Sequence, residues 1–216
     1  MIYIPKIIHF VWIGPRKIPE KYKENIQSYK LNNPDWTVKL WNNKNLPNIK
    51  NKFVYNKMTS WAARTDVLRL EILYQFGGIY TDIDSICYRK LDSLVDNLTC
   101  FGMCGNDGKV ANGTLGCTKG NYVFKILVDK LEGHVYMLKQ LKRNKKRGSH
   151  VLGIAGEGYI TPILKSNKTF TMIDDDKNKG TRKLIITSHE KITEECYIYH
   201  ELARSWINEG KERIKL

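Results

Sequence analysis

Two carboxylates separated by one apolar residue, Asp82-Ile83-Asp84, close the run Gly77-Gly78-Ile79-Tyr80-Thr81. Acidic oxygens so closely spaced suit a hard divalent cation such as Mg²⁺ or Mn²⁺, which leaves coordination positions for water or phosphate. The β-branched and aromatic content predicts a strand over 79–83. Alternation along it would point Asp82 and Asp84 one way and Ile83 the other. Asp-x-Asp is equally common in solvated turns, so the pattern needs support from its neighbours. Upstream, Asp66 and Arg69 stand three residues apart, on one face if helical, and Ala62 and Ala63 leave room one turn earlier. A local ion pair on a core helix would use the same residues.

A helix must feed that strand. Thr59 or Ser60 can cap it, Ala62, Ala63, Leu68, Leu70, Glu71 and Leu73 favour it, and Gly77-Gly78 stops it.

The ordered series Ala62-Ala63-x-x-Asp66-x-x-Arg69 and Gly77-Gly78-Ile79-Tyr80-x-Asp82-x-Asp84 resembles the signature of the DXD-motif glycosyltransferases of family 32. That group includes outer-chain mannosyltransferases, α-galactosyltransferases and capsular polysaccharide transferases, and the glucosyltransferase domain of large clostridial toxins is similar. The resemblance implies an α/β fold of the GT-A type, a Rossmann-like nucleotide-sugar-binding domain with a mixed, mostly parallel central sheet flanked by helices. It further implies Mn²⁺ or Mg²⁺ held by Asp82 and Asp84, and donor contacts from Ala62, Asp66, Arg69, Tyr80 and Ile83. Asp82, Asp84 and Arg69 are then the catalytic candidates.

The 216 residues suffice for one such domain, with 1–105 as the nucleotide-sugar half and 106–216 as the acceptor-side half. The five cysteines are scattered without a Cys-x-x-Cys pair, which indicates neither a zinc site nor a disulfide framework. No apolar run reaches the ~18–20 residues of a membrane span, and the opening residues do not read as a secretory signal. The expectation is a soluble, cytoplasmic chain that starts at the catalytic domain. A net charge of +14 would suit nucleic acid. No helix-turn-helix, finger or RNA-binding aromatic motif accompanies it, and the abundant Lys, Asn and Ile share A/T-rich codons. A basic surface would also suit an acidic glycan or a peripheral membrane contact.

In chain order, Ile4 to Ile13 is a nearly continuous apolar run, expected as a strand buried on both faces of a parallel sheet. Its resemblance to the family's opening strand places Phe10, Val11 and Trp12 near the nucleotide base, with His9 structural. A helix over 19–32, a strand over 36–41 and a loop or short helices over 42–57 follow. Beyond the Asp pair, a short strand at 86–88, a turn at 91–94, and strands at 100–105 and 110–118 joined by Asn106-Asp107-Gly108 are expected. A helix over 122–141 comes next, interrupted at Gly133, and then a basic run over 139–147. Strands at 170–173 and 184–187 flank Asp174-Asp175-Asp176, read as a solvated loop.

Further site candidates come from the resemblance. Asn112 lies in a segment that touches donor and acceptor sugars in the family, although an Asn before Gly is also an ordinary turn. Gly156 and Glu157 fall in a Gly-Pro-x-x-x-Thr segment with Glu157 in place of Pro, before a helix starting near Gly158. Tyr199-His200-Glu201-x-x-x-Ser205-Trp206 resembles the closing His-His-x-x-Gly-Ser-Trp, with Glu201 and Arg204 departing from it. His200 is the candidate third metal ligand, and Ser205 and Trp206 are leaving-group contacts. Read without the family, a lone His beside aromatics is packing.

The function expected is metal-dependent, retaining transfer of a hexosyl unit from a nucleotide diphosphate sugar, a UDP-sugar before GDP-mannose, to a hydroxyl of a glycan, protein or lipid-linked acceptor in polysaccharide biosynthesis. A nucleotide-sugar-binding module without catalysis, a basic nucleic-acid binder and a metal-dependent hydrolase are the competing readings.

Overall fold

The structure is a computed structural model and describes residues 3–105, 107–143, 154–173, 185–187, 192 and 194–201. Strand β1 (Ile7–Val11) lies between β2 (Thr37–Trp41) and β3 (Gly78–Thr81) and is parallel to both. Such a position covers a strand on both faces, which is why Ile8, His9, Phe10 and Val11 are all buried. Strand β6 (Val110–Cys117) runs antiparallel to β3 and to β5 (Cys100–Cys104), and β7 (Phe170–Ile173) is parallel to β5. The order is β2-β1-β3-β6-β5-β7. Among the described strands of this sheet β6 alone is reversed, so the mixed, mostly parallel sheet is as expected.

Alternating side chains feed two cores. Tyr80 and Cys100 pack on one face with helices α3 (Trp61–Phe76), α5 (Tyr122–Arg143) and α6 (Glu157–Lys165). Ile8, Phe10, Ile79 and Phe101 pack on the other with Ile26 and Tyr29 of α1 (Glu20–Asn32). Gly133 does not interrupt α5, and the expected turn over 91–94 is a short helix, α4 (Asp92–Val95). Of the loop over 42–57, residues Lys52–Lys57 form helix α2. The turn between β5 and β6 carries Gly108 at φ 72°. The aspartates at 174–176 lie outside the described residues.

Ser60 caps α3 by accepting from the Ala63 amide, and Gly77 ends it at φ 66°. A β-carbon at Gly77 would stand 2.5 Å from the Lys119 amide nitrogen, and one at Gly78, at φ 90°, 2.4 Å from the Ile7 carbonyl. Only glycine passes through this bend. His9 pins it: Trp41 Nε1 donates to Nδ1 at 3.1 Å, so Nε2 carries the proton and donates to the Gly77 carbonyl at 2.8 Å.

Strand β3 stops at Thr81, two residues short of the expected end. Asp82 and Asp84 therefore occupy a turn, in which the Asp82 amide donates to the Gly113 carbonyl and the Ser85 amide to the Asp82 carbonyl. Strand alternation is not what aligns the two carboxylates. A second sheet orders β4 (Ser85–Cys87), β9 (Ile198–His200) and β8 (Ile185–Thr187), and its antiparallel β4–β9 ladder sets His200 opposite Ser85.

Burial holds His9 neutral, its pKa lowered from 6.5 to about 4, chiefly by desolvation. The unfolded chain thus binds a proton that folded His9 excludes between these values. Stability should fall as pH drops from 6.5 towards about 4, by up to about 3 kcal/mol from this residue. Denaturant unfolding of wild type and His9→Gln across that interval checks this: the variant should show about one proton less of linkage. Equal slopes would exonerate His9.

Candidate active site

Helix α3 carries Asp66 and Arg69 on one face, both buried. Arg69 reaches Asp66 Oδ1 at 2.9 Å and Asp82 Oδ1 at 3.4 Å, and it donates to the Asn112 carbonyl. Its guanidinium lies 4.5 Å from the centre of the Tyr80 ring, a cation–π approach. One cation thus ties the helix, the end of β3 and the reversed strand β6 together. Its Nε is buried with no hydrogen-bond partner among the described residues.

The two aspartates it touches differ. Burial pushes Asp66 up to about 6, with Arg69 only partly offsetting it, and the Asn112 side-chain amide donates to Oδ1 at 2.9 Å. Asp82 also pays for desolvation, but Arg69 and then His200 outweigh it and hold its pKa below the usual value. Tyr80 donates its hydroxyl to Asp82 Oδ1 at 2.7 Å, and its phenol is held well above its ordinary pKa, first by burial.

His200 Nε2 lies 3.3 Å from Asp82 Oδ2 and 3.3 Å from Asp84 Oδ1. One ligand atom from each of these three residues falls within 4.8 Å of the others. The imidazole is buried, whereas the Asp82 and Asp84 side chains keep 28% and 14% exposure, so the cluster opens on its carboxylate side. Gly113 makes the space: a β-carbon there would stand 3.0 Å from His200 Nε2 and 3.3 Å from Asp82 Oδ2. Two carboxylate oxygens and an imidazole nitrogen converging on a side-chain-free gap fit a divalent cation of the Mn²⁺ or Mg²⁺ kind.

Hydroxyls support the turn from behind. Ser85 Oγ donates to the Asp82 carbonyl at 2.6 Å, so its single proton is committed and Tyr29, 2.7 Å away, must be the donor to Ser85. Thr81 lies 2.9 Å from Ser85 Oγ and 3.1 Å from Thr114 Oγ1. The Asn25 amide donates to the Ile83 carbonyl at 3.1 Å, and the Glu201 amide to the Asp84 carbonyl at 2.9 Å.

The structure thus gathers Asp66, Arg69, Tyr80, Asp82, Asp84, Asn112 and His200 into one cluster. Glu157 opens α6 with Gly156 as its N-cap, and its charge is felt at both Asp66 and Arg69. Ala62 is partly exposed in the first turn of α3. Trp12 is half-buried, its ring 5.7 Å from Tyr22, whose own pKa is raised by burial and then by Asp84. Alternation turns Phe10 edge-on to Tyr29 in one core and Val11 into the other, so both side chains are buried and leave the backbone of this stretch for any contact with a base. Ile83 is half-buried against the Phe10 core. Ser205 and Trp206, with Arg204, lie outside the described residues. Ser85 and Thr81 are not among the expected site residues, and Gly113 enters only as the neighbour of Asn112. Only their neighbourhood to Asn112 and the Asp pair hinted at them.

Residues 19–100 match the family described as glycosyltransferase sugar-binding region containing DXD motif. An uncharacterized glycosyltransferase of Acanthamoeba polyphaga mimivirus is 26% identical over 220 residues, covering 94% of this chain and 84% of that protein. Inositol phosphoceramide mannosyltransferase 3 of Schizosaccharomyces pombe is 32% identical over 128 residues, covering 55% of this chain. The chain spans only about a third of that fungal relative's length, 34%. The catalytic domain of alpha-toxin from Clostridium novyi shares the fold at TM-score 0.60 and 10% identity, over 76% of this chain and 73% of that one. Residues 19–100 are thus similar to a glycosyltransferase sugar-binding region with a DXD motif, and the fold is of the GT-A kind, as the resemblance implied.

Gly113→Ala should weaken Mn²⁺ binding about tenfold or more, read as the metal concentration needed for half-maximal thermal stabilisation. Gly133→Ala, whose added β-carbon would meet nothing within 4 Å, should leave that concentration unchanged. Equal metal response in both variants would remove Gly113 from the site.

Proposed function

We propose that this chain is a metal-dependent, retaining hexosyltransferase that moves a sugar from a nucleotide diphosphate donor to a hydroxyl of a glycan or lipid-linked acceptor. The observation that carries this reading is the convergence of Asp82, Asp84 and His200 beside the buried Arg69–Asp66 pair. Asp82, Asp84 and His200 hold the cation, which when bound acts as a Lewis acid on the leaving diphosphate. Mn²⁺ suits the imidazole better than Mg²⁺ does.

Arg69 keeps Asp82 ionised beside the cation site. Asp66 and Asn112, already hydrogen-bonded to one another, present polar atoms to the donor sugar. Trp12, with Tyr22 beside it, offers an aromatic face to the base. Gly156 and Glu157 border the acceptor side. The bond from the anomeric carbon to the diphosphate oxygen breaks with its electron pair leaving on that oxygen. The acceptor oxygen bonds to the same face, and its proton passes to the departing phosphate. No residue of the cluster is assigned the nucleophile that retaining hydrolases use, so same-face attack is the simpler route.

A UDP-sugar is the donor expected from the sequence resemblance, whereas the name of the fungal relative favours a mannosyl unit and hence GDP-mannose. Incubation with Mn²⁺, a panel of UDP-hexoses and GDP-mannose, and product analysis decide between them. Asp84→Ala should cut donor consumption about 100-fold or more, and wild-type rates in that variant would overturn the assignment. Donor binding without turnover would indicate a binding module, and free sugar as the main product with acceptor present would indicate a hydrolase.

A further inference from the structure

Helix α1 turns a polar face towards the Asp pair. Lys21, Asn25, Ser28, Tyr29 and Asn32 share that face at helical spacings of three and four. The Asn25 side-chain amide donates to the Ile83 carbonyl at 3.1 Å, Tyr29 to the Ser85 hydroxyl at 2.7 Å, and Asn32 to the Cys87 carbonyl at 3.0 Å, while the Cys87 amide donates to Ser28 Oγ at 2.9 Å. These four thus grip residues 83–87. Lys21 grips a different segment: its Nζ lies 3.0 Å from Glu201 Oε2, directly after His200. The Glu201 amide donates in turn to the Asp84 carbonyl at 2.9 Å. Glu201 is therefore held at its backbone by the Asp82–Asp84 turn and at its carboxylate by α1.

His200 is the last rung of both ladders that β9 makes, opposite Ser85 of β4 and Thr187 of β8. Strand ends open more readily than strand interiors, so an imidazole at that rung needs something beyond it to stay in place. Glu201 is the next residue. Its side chain is only 19% exposed, and Lys21 is its one ion-pair partner among the described residues. A carboxylate so far out of water is unfavourable without that countercharge. Its oxygens are not among the ligand atoms that converge from Asp82, Asp84 and His200.

We propose that the Lys21–Glu201 ion pair is a positioning contact: it fixes the end of β9 against α1 and so holds the His200 imidazole within reach of Asp82 and Asp84. This role rests on the reading of those three residues as a cation site. A purely electrostatic role has the opposite sign at Lys21, because an ammonium near the site opposes a divalent cation, whereas an ammonium that orients a ligand favours one. Glu201 favours the cation on either account, so Lys21 decides between them.

The full chain is to be titrated with Mn²⁺ alone, reading the concentration that gives half-maximal thermal stabilisation. Lys21→Met and Glu201→Gln should each raise it about three- to fivefold, the size expected of a half-exposed contact that orients a ligand. The double variant should lose no more than either single one, since both break the same contact. Lys21→Arg should keep the wild-type value, and so should Lys23→Met, which removes an exposed cation of the same helix that pairs with Glu20. Metal-free unfolding temperatures should stay near wild type throughout. Mn²⁺ binding that Lys21→Met strengthens or leaves unchanged, or a double-variant loss equal to the two single losses combined, would overturn the proposal while leaving the cation site standing. No Mn²⁺ response in wild type would overturn the cation site and the positioning role together, so the two failures are told apart.

Discussion

A single buried guanidinium organises the site. Arg69 faces Asp66, Asp82 and the Tyr80 ring and donates to the carbonyl of Asn112. Taking that charge from water is costly unless its donors are matched, and a planar fork can match several acceptors at fixed angles. The acceptors come from α3, the end of β3, and β6. Their relative placement is therefore constrained by one side chain, and the ionisation of Asp82 follows from it.

A second constraint acts on the same turn from below. The chain Tyr29–Ser85–Thr81–Thr114 buries hydroxyls that satisfy one another and fix the Asp82 carbonyl. Buried polar groups without partners would be destabilising, so the network holds one arrangement rather than many. Together with the Gly113 carbonyl, which accepts from the Asp82 amide, it lets two carboxylates stand close on a rigid loop without a strand to align them. The third member arrives from far along the chain, because β9 pairs with β4 and sets His200 opposite Ser85.

Much of the fold was legible. The apolar run at the start, the capped helix before Gly77-Gly78 and the central sheet strands all follow from local chemistry: burial on two faces, side-chain capping and left-handed glycines. Legibility failed where a neighbour decided the outcome. Strand β3 ends early because the Ser85 amide, with its hydroxyl, turns back onto the Asp82 carbonyl, which no propensity at 82–84 encodes. Which core Phe10 and Val11 each enter depends likewise on how the sheet is covered on its two faces.

What the sequence by itself determined was the set of chemical groups and their local frame: an acidic pair after a strand, an acid and a cation one helical turn apart, and glycines at the bend between them. Those are short-range matters of residue type and backbone freedom. Only the tertiary structure decided that Asn112, Gly113 and His200 meet that frame, that Arg69 ionises Asp82 while burial raises Asp66, and that Gly113 leaves the gap beside His200. Distances between residues over a hundred positions apart, and the dielectric around each charge, exist only once the sheets have paired.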